Sequence, residues 1–167
     1  MDSRLRIACI GAGRRFETVY LPVLQKLSSR VELVGFTRRQ ETVGQEQSKR
    51  LGIPFYPTLD ALMGYAKPDV LLVMVPPKVN AEVTCVVVAK KCAVLIETPV
   101  ALTLSQAEHL KSEVAKHGTV VGVMEQKPFL PLEEWKHEVI RSGLLGKIVT
   151  VANDFRSYEY HAIAQLR

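Results

Sequence analysis

Residues 5–13 read Leu-Arg-Ile-Ala-Cys-Ile-Gly-Ala-Gly, a short apolar run that ends at two glycines. The run predicts a buried β-strand, and the glycines fall where a following helix would begin. In dinucleotide-binding folds the first glycine of such a loop allows a tight turn, and the second lets pyrophosphate approach the backbone. Phe16 stands at the third glycine position of the full G-x-G-x-x-G pattern. We therefore expect a phosphate site at Gly11 and Gly13, with a ligand-free glycine turn as the alternative.

Strands and helices are predicted to alternate outward from this loop. Apolar runs predict strands over 31–36, 55–56, 70–75, 93–96 and 119–123. Helices are predicted over 42–51, 59–64, 80–91, 103–118 and 131–142, the third capped by Asn80. The first helix is predicted to bury Val19, Val23, Leu24 and Leu27 on one face. This alternation predicts an α/β fold with a doubly wound parallel (Rossmann) sheet.

The chain changes character near residue 123. We expect residues 1–123 to form a dinucleotide-binding Rossmann domain and residues 124–167 to begin a truncated second α/β domain. Residues 147–155 predict a half-polar strand whose unpaired edges favour pairing with another chain, so a homo-oligomer is expected. Cys9 is predicted to be buried on the first strand.

The positive charge of the chain lies in its first fifty residues. Ten lysines and arginines face five acids there, whereas residues 51–167 hold twelve of each sign. An excess of this kind suggests an anionic partner, either a dinucleotide or nucleic acid, with a solvated basic surface as the third interpretation. Nucleic acid is the weaker candidate, because no helix-turn-helix, zinc or aromatic-platform signature accompanies the charge.

The end of the second strand bears on the choice of cofactor. NAD-binding domains usually place an acid about 20 residues beyond the glycine loop, where it holds the ribose 2′-hydroxyl. Here the strand runs into Thr37, Arg38 and Arg39 with no acid among them. Thr37 can hydrogen-bond a 2′-phosphate and Arg38 can pair with it, which favours NADP over NAD. Arg14 and Arg15, on the glycine loop, can reach phosphate oxygens.

The chain resembles the glucose–fructose oxidoreductase / inositol dehydrogenase (Gfo/Idh/MocA) family. The resemblance rests on ordered segments at 10–13, 20–24, 68–70, 75–77, 96–103 and 142–148. It implies hydride transfer between a nicotinamide cofactor and a sugar- or cyclitol-like hydroxyl carbon. It places Val75, Pro76, Pro77 and Asn80 beside the nicotinamide, together with the Glu97-Thr98-Pro99 segment.

The resemblance also implies the catalytic positions. These are Glu97, Thr98, which stands where the family has a lysine, and His161, which matches the family's acid/base histidine. Threonine cannot replace the lysine as a cation. A catalytically silent dinucleotide-binding module, used for sensing or assembly, is therefore the alternative to an enzyme.

The remaining expectations concern environment and metals. No apolar run reaches the ~18 residues of a membrane span, and the amino terminus lacks the apolar stretch of a secretory signal. Cys9, Cys85 and Cys92 lack metal-ligand spacing, so no metal site is expected. Cytoplasm is the expected compartment.

Overall fold

The first strand, β1 (Leu5–Ile10), lies inside a parallel sheet, and four of its six residues are buried, as cover on both faces of the sheet requires. The computed structural model describes residues 4–152, 161, 163 and 164. Its strands are β1 (Leu5–Ile10), β2 (Val31–Thr37), β3 (Val70–Val73), β4 (Ala93–Ile96) and β5 (Val121–Val123). All pairings are parallel, and the strand order is β2-β1-β3-β4-β5. The predicted doubly wound parallel sheet is confirmed.

Helices connect the strands. They are α1 (Leu21–Lys26), α2 (Glu41–Leu51), α3 (Leu59–Ala61), α4 (Pro77–Val88), α5 (Leu104–His117) and α6 (Pro131–Arg141). π-helical turns over Phe16–Tyr20 and Leu62–Ala66 adjoin α1 and α3, and a 3₁₀ turn over Lys127–Phe129 precedes α6. α2 and α5 end at Gly52 and Gly118, both left-handed, as is typical of helix C-termini.

The core fills the space between the sheet and its helices. Fully buried side chains from β1, β3 and β4 meet Leu62 and the inner residues of α4, Val87 and Val88. Cys9 is completely buried, as predicted, and burial raises the pKa of its thiol well above the usual range. The predicted strand at 55–56 is a single parallel bridge between Phe55 and Phe36.

Two local predictions in residues 1–123 are wrong. Val19, Val23 and Leu27 are exposed, and Phe16 and Leu21 are buried instead. The π-helical turn causes the difference, because its wider turn rotates the residues that follow relative to an α-helical pattern. Asn80 does not cap α4; Pro76 occupies the N-cap position, since Pro77 is pre-set for the first helical turn.

The chain divides into two compact units, residues 1–123 and 124–167. The second unit contains α6, whose predicted range is confirmed. The predicted strand over 147–155 is not formed at 147–152, and 153–155 lie outside the described residues. A β-strand must pair with a neighbouring strand, and residues 147–152 pair with none among the described residues. The roles predicted for the two units, cofactor domain and start of a substrate domain, stay predictions.

Candidate functional site

The glycine loop closes tightly over the carboxyl ends of β1 and β3. Gly11 has a φ of +87°, and its amide donates to the Thr37 carbonyl at 3.0 Å. A Cβ on Gly11 would lie 2.5 Å from the Met74 carbonyl oxygen, which no side chain tolerates. Glycine is therefore required here both by the left-handed backbone and by the close approach of the strand end.

The second glycine faces open space. A Cβ on Gly13 would meet one atom within 4 Å, the Gly11 carbonyl oxygen at 3.9 Å. The first amide of the helix with a recorded acceptor is that of Glu17, which donates to Gly13 at 3.3 Å. Within the described residues, the structure records no acceptor for the amides of Arg14, Arg15 and Phe16. Amides of this kind at a helix start suit phosphate oxygens.

Phe16 serves the core rather than the loop surface. Its ring is completely buried, with its centroid 6.4 Å from that of Phe36. Phe16 can therefore contact a cofactor through its backbone amide and not through its ring.

Arg38 is held at the carboxyl end of β2 by one of its terminal nitrogens. Its Nη1 donates to Gln47 Oε1 at 2.9 Å and approaches the Ala12 carbonyl at 3.4 Å. Among the described residues, no hydrogen bond is recorded for its Nη2 or Nε. Thr37 is buried beside it, and Arg39 is exposed. The guanidinium is therefore anchored on one side and available to an anion on the other.

Glu97 follows β4, and its buried carboxylate accepts four hydrogen bonds, the weakest from the Thr98 hydroxyl at 3.5 Å. It accepts from Arg15 Nε, from Tyr20 Oη at 2.7 Å and from the Thr98 amide at 2.9 Å. Burial and the hydrogen bond to Glu97 raise the pKa of the Tyr20 phenol, which stays protonated as a donor. Glu97 likewise raises the pKa of Arg15.

This cluster changes two expectations from the sequence. Arg15, predicted to hold pyrophosphate, lies against Glu97 and stacks near the Tyr20 ring at 5.8 Å. Thr98 contributes its amide to the same carboxylate and brings no charge. Arg15 is thus the cation that the fold places beside the Glu97-Thr98 segment.

Asn80 ties the Glu97 segment to α4. Its Nδ2 donates to the carbonyls of Glu97 at 2.7 Å and Pro99 at 2.9 Å. The side chain is 1% exposed, so the amide positions the backbone after β4. Val75 is half-buried, and Pro76 and Pro77 are exposed at the start of α4.

His161 belongs to the second unit, where it pairs with a carboxylate. Its Nδ1 lies within hydrogen-bond distance of Glu125 Oε2, and both side chains are largely buried. Glu125 also accepts from the Lys127 amide at 2.9 Å through its other oxygen. A carboxylate of this kind fixes the tautomer and orientation of an imidazole.

Sequence reasoning missed Tyr20, Gln47 and Glu125 as site residues. Tyr20 follows the glycine loop closely in sequence, but its partner Glu97 is 77 positions away. Gln47 sits in a polar helix pattern that resembles a solvated face, yet it is 2% exposed. Neither contact has a local signal.

The strand order reverses direction between β1 and β3, and the glycine loop and helix start lie at that switch point. Ligands of parallel α/β sheets bind in the crevice at such a point. This arrangement defines a dinucleotide-binding α/β domain, and glycine-loop amides and Arg38 fit a dinucleotide phosphate.

The chain belongs to the Gfo/Idh/MocA oxidoreductase family. Residues 5–125 match its domain described as oxidoreductase family, NAD-binding Rossmann fold. D-glucoside 3-dehydrogenase of Escherichia coli is 28% identical over 157 residues, which cover 93% of this chain and 44% of the enzyme. The resemblance inferred from the sequence is confirmed.

Solved structures share the fold. The WlbA dehydrogenase of Bordetella pertussis, in complex with NADH and UDP-GlcNAcA, has a TM-score of 0.80 at 18% identity. The match covers 89% of this chain and 42% of that one. The super-repressor mutant of Gal80p from Saccharomyces cerevisiae has a TM-score of 0.79 at 19% identity, covering 89% and 41% of the two chains.

The chain spans less than half the length of the curated relatives it matches. Among the described residues, no helix is both long and apolar enough to cross a membrane. Within that same part of the chain, no group of three or more metal-ligating side chains comes together.

Proposed function

We propose that this chain is the cofactor-binding part of an NADP-dependent oxidoreductase that transfers hydride between nicotinamide and a sugar- or cyclitol-like hydroxyl carbon. The observation that carries the proposal is Arg38. Its guanidinium is fixed at the carboxyl end of β2, where a dinucleotide places its adenosine ribose. A cation there favours a 2′-phosphate, and an acid that would hold a 2′-hydroxyl is absent from 35–39.

The residues of the first unit bind and orient the cofactor. The amides of Arg14, Arg15 and Phe16 bind pyrophosphate, with the Arg14 side chain beside them. Thr37, Arg38 and Arg39 bind the 2′-phosphate. The bound dinucleotide supplies the hydride donor or acceptor.

Glu97 and its partners organise the other end of the crevice. Glu97 holds Arg15 in place, and Asn80 fixes the backbone on which Glu97 and Thr98 stand. With Val75, Pro76 and Pro77 at the start of α4, these residues form the wall on which nicotinamide is proposed to rest.

His161 is the proposed acid/base group of the second unit. Glu125 at Nδ1 fixes the orientation of the ring, and the imidazole is assigned the exchange of a proton with a substrate hydroxyl. Its role, and the substrate, concern the whole protein rather than these residues alone.

Thr98 supports a second candidate function, a catalytically silent dinucleotide-binding module used for sensing or assembly. A neutral, short side chain stands next to the proposed hydride-transfer site, where the family resemblance implies a lysine. The fold by itself does not decide between the two functions, because one fold can carry many unrelated functions.

A turnover screen separates the two candidates. The purified 167-residue chain is mixed with NADPH or NADP⁺ and a panel of sugars, cyclitols and small hydroxy acids, and cofactor absorbance is followed. We expect cofactor binding with at most trace turnover, because Thr98 is uncharged where the family resemblance implies a lysine and the chain spans less than half the length of its curated relatives. We expect Thr98→Lys to raise the trace turnover rate without restoring full activity.

Two results would change this assignment. Robust turnover of about 10 s⁻¹, the enzyme median, would show that these 167 residues suffice for catalysis. No turnover by the chain, by Thr98→Lys or by a longer form of the protein carrying the remaining residues of its relatives would favour the silent module.

Homo-oligomerisation remains a proposal of its own. Ile148, Val149 and Val151 are exposed in the second unit and would supply an apolar surface for a second copy. Sedimentation at micromolar concentration tests it, and a monomer at all concentrations would contradict it.

A further inference from the structure

Gln47 is a buried polar residue in the middle of α2. Its side chain is 2% exposed, and both ends of its amide are hydrogen-bonded. Nε2 donates to the Ala12 carbonyl at 3.0 Å and to Glu17 Oε1 at 2.8 Å. Oε1 accepts from Arg38 Nη1 at 2.9 Å. One side chain thus joins the glycine loop, the helix that follows it and the cation after β2.

These partners allow one orientation of the amide. A flipped Gln47 would bring its NH₂ group against the Arg38 guanidinium, which has donors alone. The flip would also set Oε1 against the Ala12 carbonyl and the Glu17 carboxylate, both acceptors. The acceptor atom of Gln47 is therefore committed to Arg38.

Glu17 holds the far end of the network. Its carboxylate accepts from Arg50 Nη2 through both oxygens, at 2.7 and 2.8 Å. The Arg50 hydrogen bonds lower the pKa of Glu17, which keeps the carboxylate ionised at neutral pH. An ionised acceptor strengthens the hydrogen bond from Gln47 Nε2.

The consequence falls on Arg38. A free arginine side chain has high rotamer entropy, part of which is lost when a ligand orders it. Arg38 Nη1 is hydrogen-bonded to Gln47 and to the Ala12 carbonyl in the absence of a ligand. Among the described residues, no hydrogen bond is recorded for Arg38 Nη2 or Nε. The side chain is pre-organised through Nη1, and Nη2 and Nε are its remaining donors.

We propose that Gln47 is the positioning residue for cofactor selectivity: it holds Arg38 ready for the 2′-phosphate of NADPH through a neutral amide that leaves the guanidinium charge available. The inference rests on the proposed function, since it takes Arg38 as the 2′-phosphate ligand. A carboxylate at position 47 would hold Arg38 as firmly but neutralise it.

The test compares Gln47→Met with Gln45→Met. Methionine keeps the length of the side chain and removes its hydrogen bonds. Gln45 lies two positions away on the same helix, is exposed and contacts Glu41 rather than Arg38. Dissociation constants for NADPH, NADH and 2′,5′-ADP are measured by fluorescence or calorimetry on each purified chain, with Arg38→Ala as reference.

Loss of one positioning hydrogen bond predicts that Gln47→Met weakens NADPH and 2′,5′-ADP by about threefold to tenfold. NADH changes less than twofold, and Gln45→Met changes none of the three. Equal weakening of NADPH and NADH would overturn the positioning role and leave Gln47 as a support of the glycine loop. Unchanged NADPH binding in Gln47→Met would overturn the positioning role. If Arg38→Ala still lost affinity for NADPH and not for NADH, the proposed function would stand.

The wild-type chain provides a second measurement if Gln47→Met does not fold. Nitrogen-15 NMR of the arginine side chains, with Arg38 assigned from the Arg38→Ala spectrum, reports guanidinium rotation. We expect restricted rotation for Arg38 without cofactor. Free rotation would contradict the inference, and a wild-type chain that binds NADPH no better than NADH would overturn both this inference and the cofactor assignment.

Discussion

Gly11 is the residue on which the geometry of the loop depends most. Gly11→Ala places a Cβ 2.5 Å from a backbone oxygen at a φ of +87°, so β1 and β3 must move apart. We expect a loss of about 3–5 kcal/mol of unfolding free energy, at the upper end for single substitutions. Thermal or urea unfolding measures it.

Gly52→Ala is the matched control for Gly11→Ala. Gly52 is also left-handed, at a φ of +68°, but its Cβ would meet nothing within 4 Å. Gly52→Ala should lower the free energy of unfolding only by the about 1–2 kcal/mol that a left-handed alanine costs. Equal losses in the two variants would show that the close approach to β3 contributes nothing.

Arg38 is predicted to discriminate between the two cofactors. Arg38→Ala removes a charge-assisted hydrogen bond worth ~1.5–3 kcal/mol, so NADPH should weaken roughly ten- to a hundredfold. NADH should change little, because it has no 2′-phosphate. Titration of each cofactor checks this.

Arg30→Ala controls for the loss of one positive charge. Arg30 lies just before β2, at the amino end of the strand, whereas Arg38 follows its carboxyl end. Arg30→Ala should leave the ratio of the NADPH and NADH dissociation constants unchanged. Equal weakening of NADPH and NADH by Arg38→Ala would rule out the 2′-phosphate contact.

At the residue scale, the sequence predicts those site residues that can be recognised from their neighbours along the chain. Gly11 and Gly13 follow a buried strand, and Arg38 follows the next, so adjacency along the chain identifies them. Gln47 also contacts Ala12, 35 positions away, and Tyr20 contacts Glu97, 77 positions away, and no periodicity in the sequence reports such contacts. Their roles emerge when the sheet brings the strand ends together.

At the element scale, α5 offers a direct test of a helix signal. The sequence contains two possible capping boxes, Thr103 with Gln106 and Ser105 with Glu108. The structure forms the first: the Thr103 hydroxyl oxygen accepts from the Gln106 backbone amide at 3.2 Å, and Gln106 Oε1 accepts from the Thr103 backbone amide at 3.2 Å. Thr103→Ala should cost about 1 kcal/mol of stability.

Ser105→Ala is the corresponding control. Ser105 lies within the first turn of α5, where alanine is a better helix former than serine, so stability should stay level or rise slightly. Chemical denaturation of the two variants tests the assignment. A greater loss for Ser105→Ala would place the start of the helix two residues later.

The elements that sequence reasoning predicts well are those with buried apolar runs and clear end signals. The five strands have the apolar runs, and α2, α5 and α6 have the end signals. The apolar face of the first helix is wrong because a π-helical turn shifts its phase. The strand beyond residue 147 is wrong at 147–152 because alternation alone does not supply a neighbouring strand.

At the scale of the whole molecule, part of the positive charge of the first fifty residues is paired with acidic side chains of the same chain. Arg4 and Arg6 face Glu32, Arg15 faces Glu97, and Arg50 faces Glu17. Pairing of these cations leaves less charge for an extended polyanion than the sequence count suggests. A compact dinucleotide therefore suits the surface better than nucleic acid, whose binding depends on many phosphate contacts.

The most direct test of the cofactor assignment is a side-by-side equilibrium titration of the purified chain with NADPH, NADH and duplex DNA at one salt concentration. The Arg38 contact predicts NADPH binding about ten- to a hundredfold tighter than NADH. DNA should bind weakly and lose its affinity as salt rises. Equal affinity for the two cofactors, or DNA binding tighter than NADPH, would contradict the assignment.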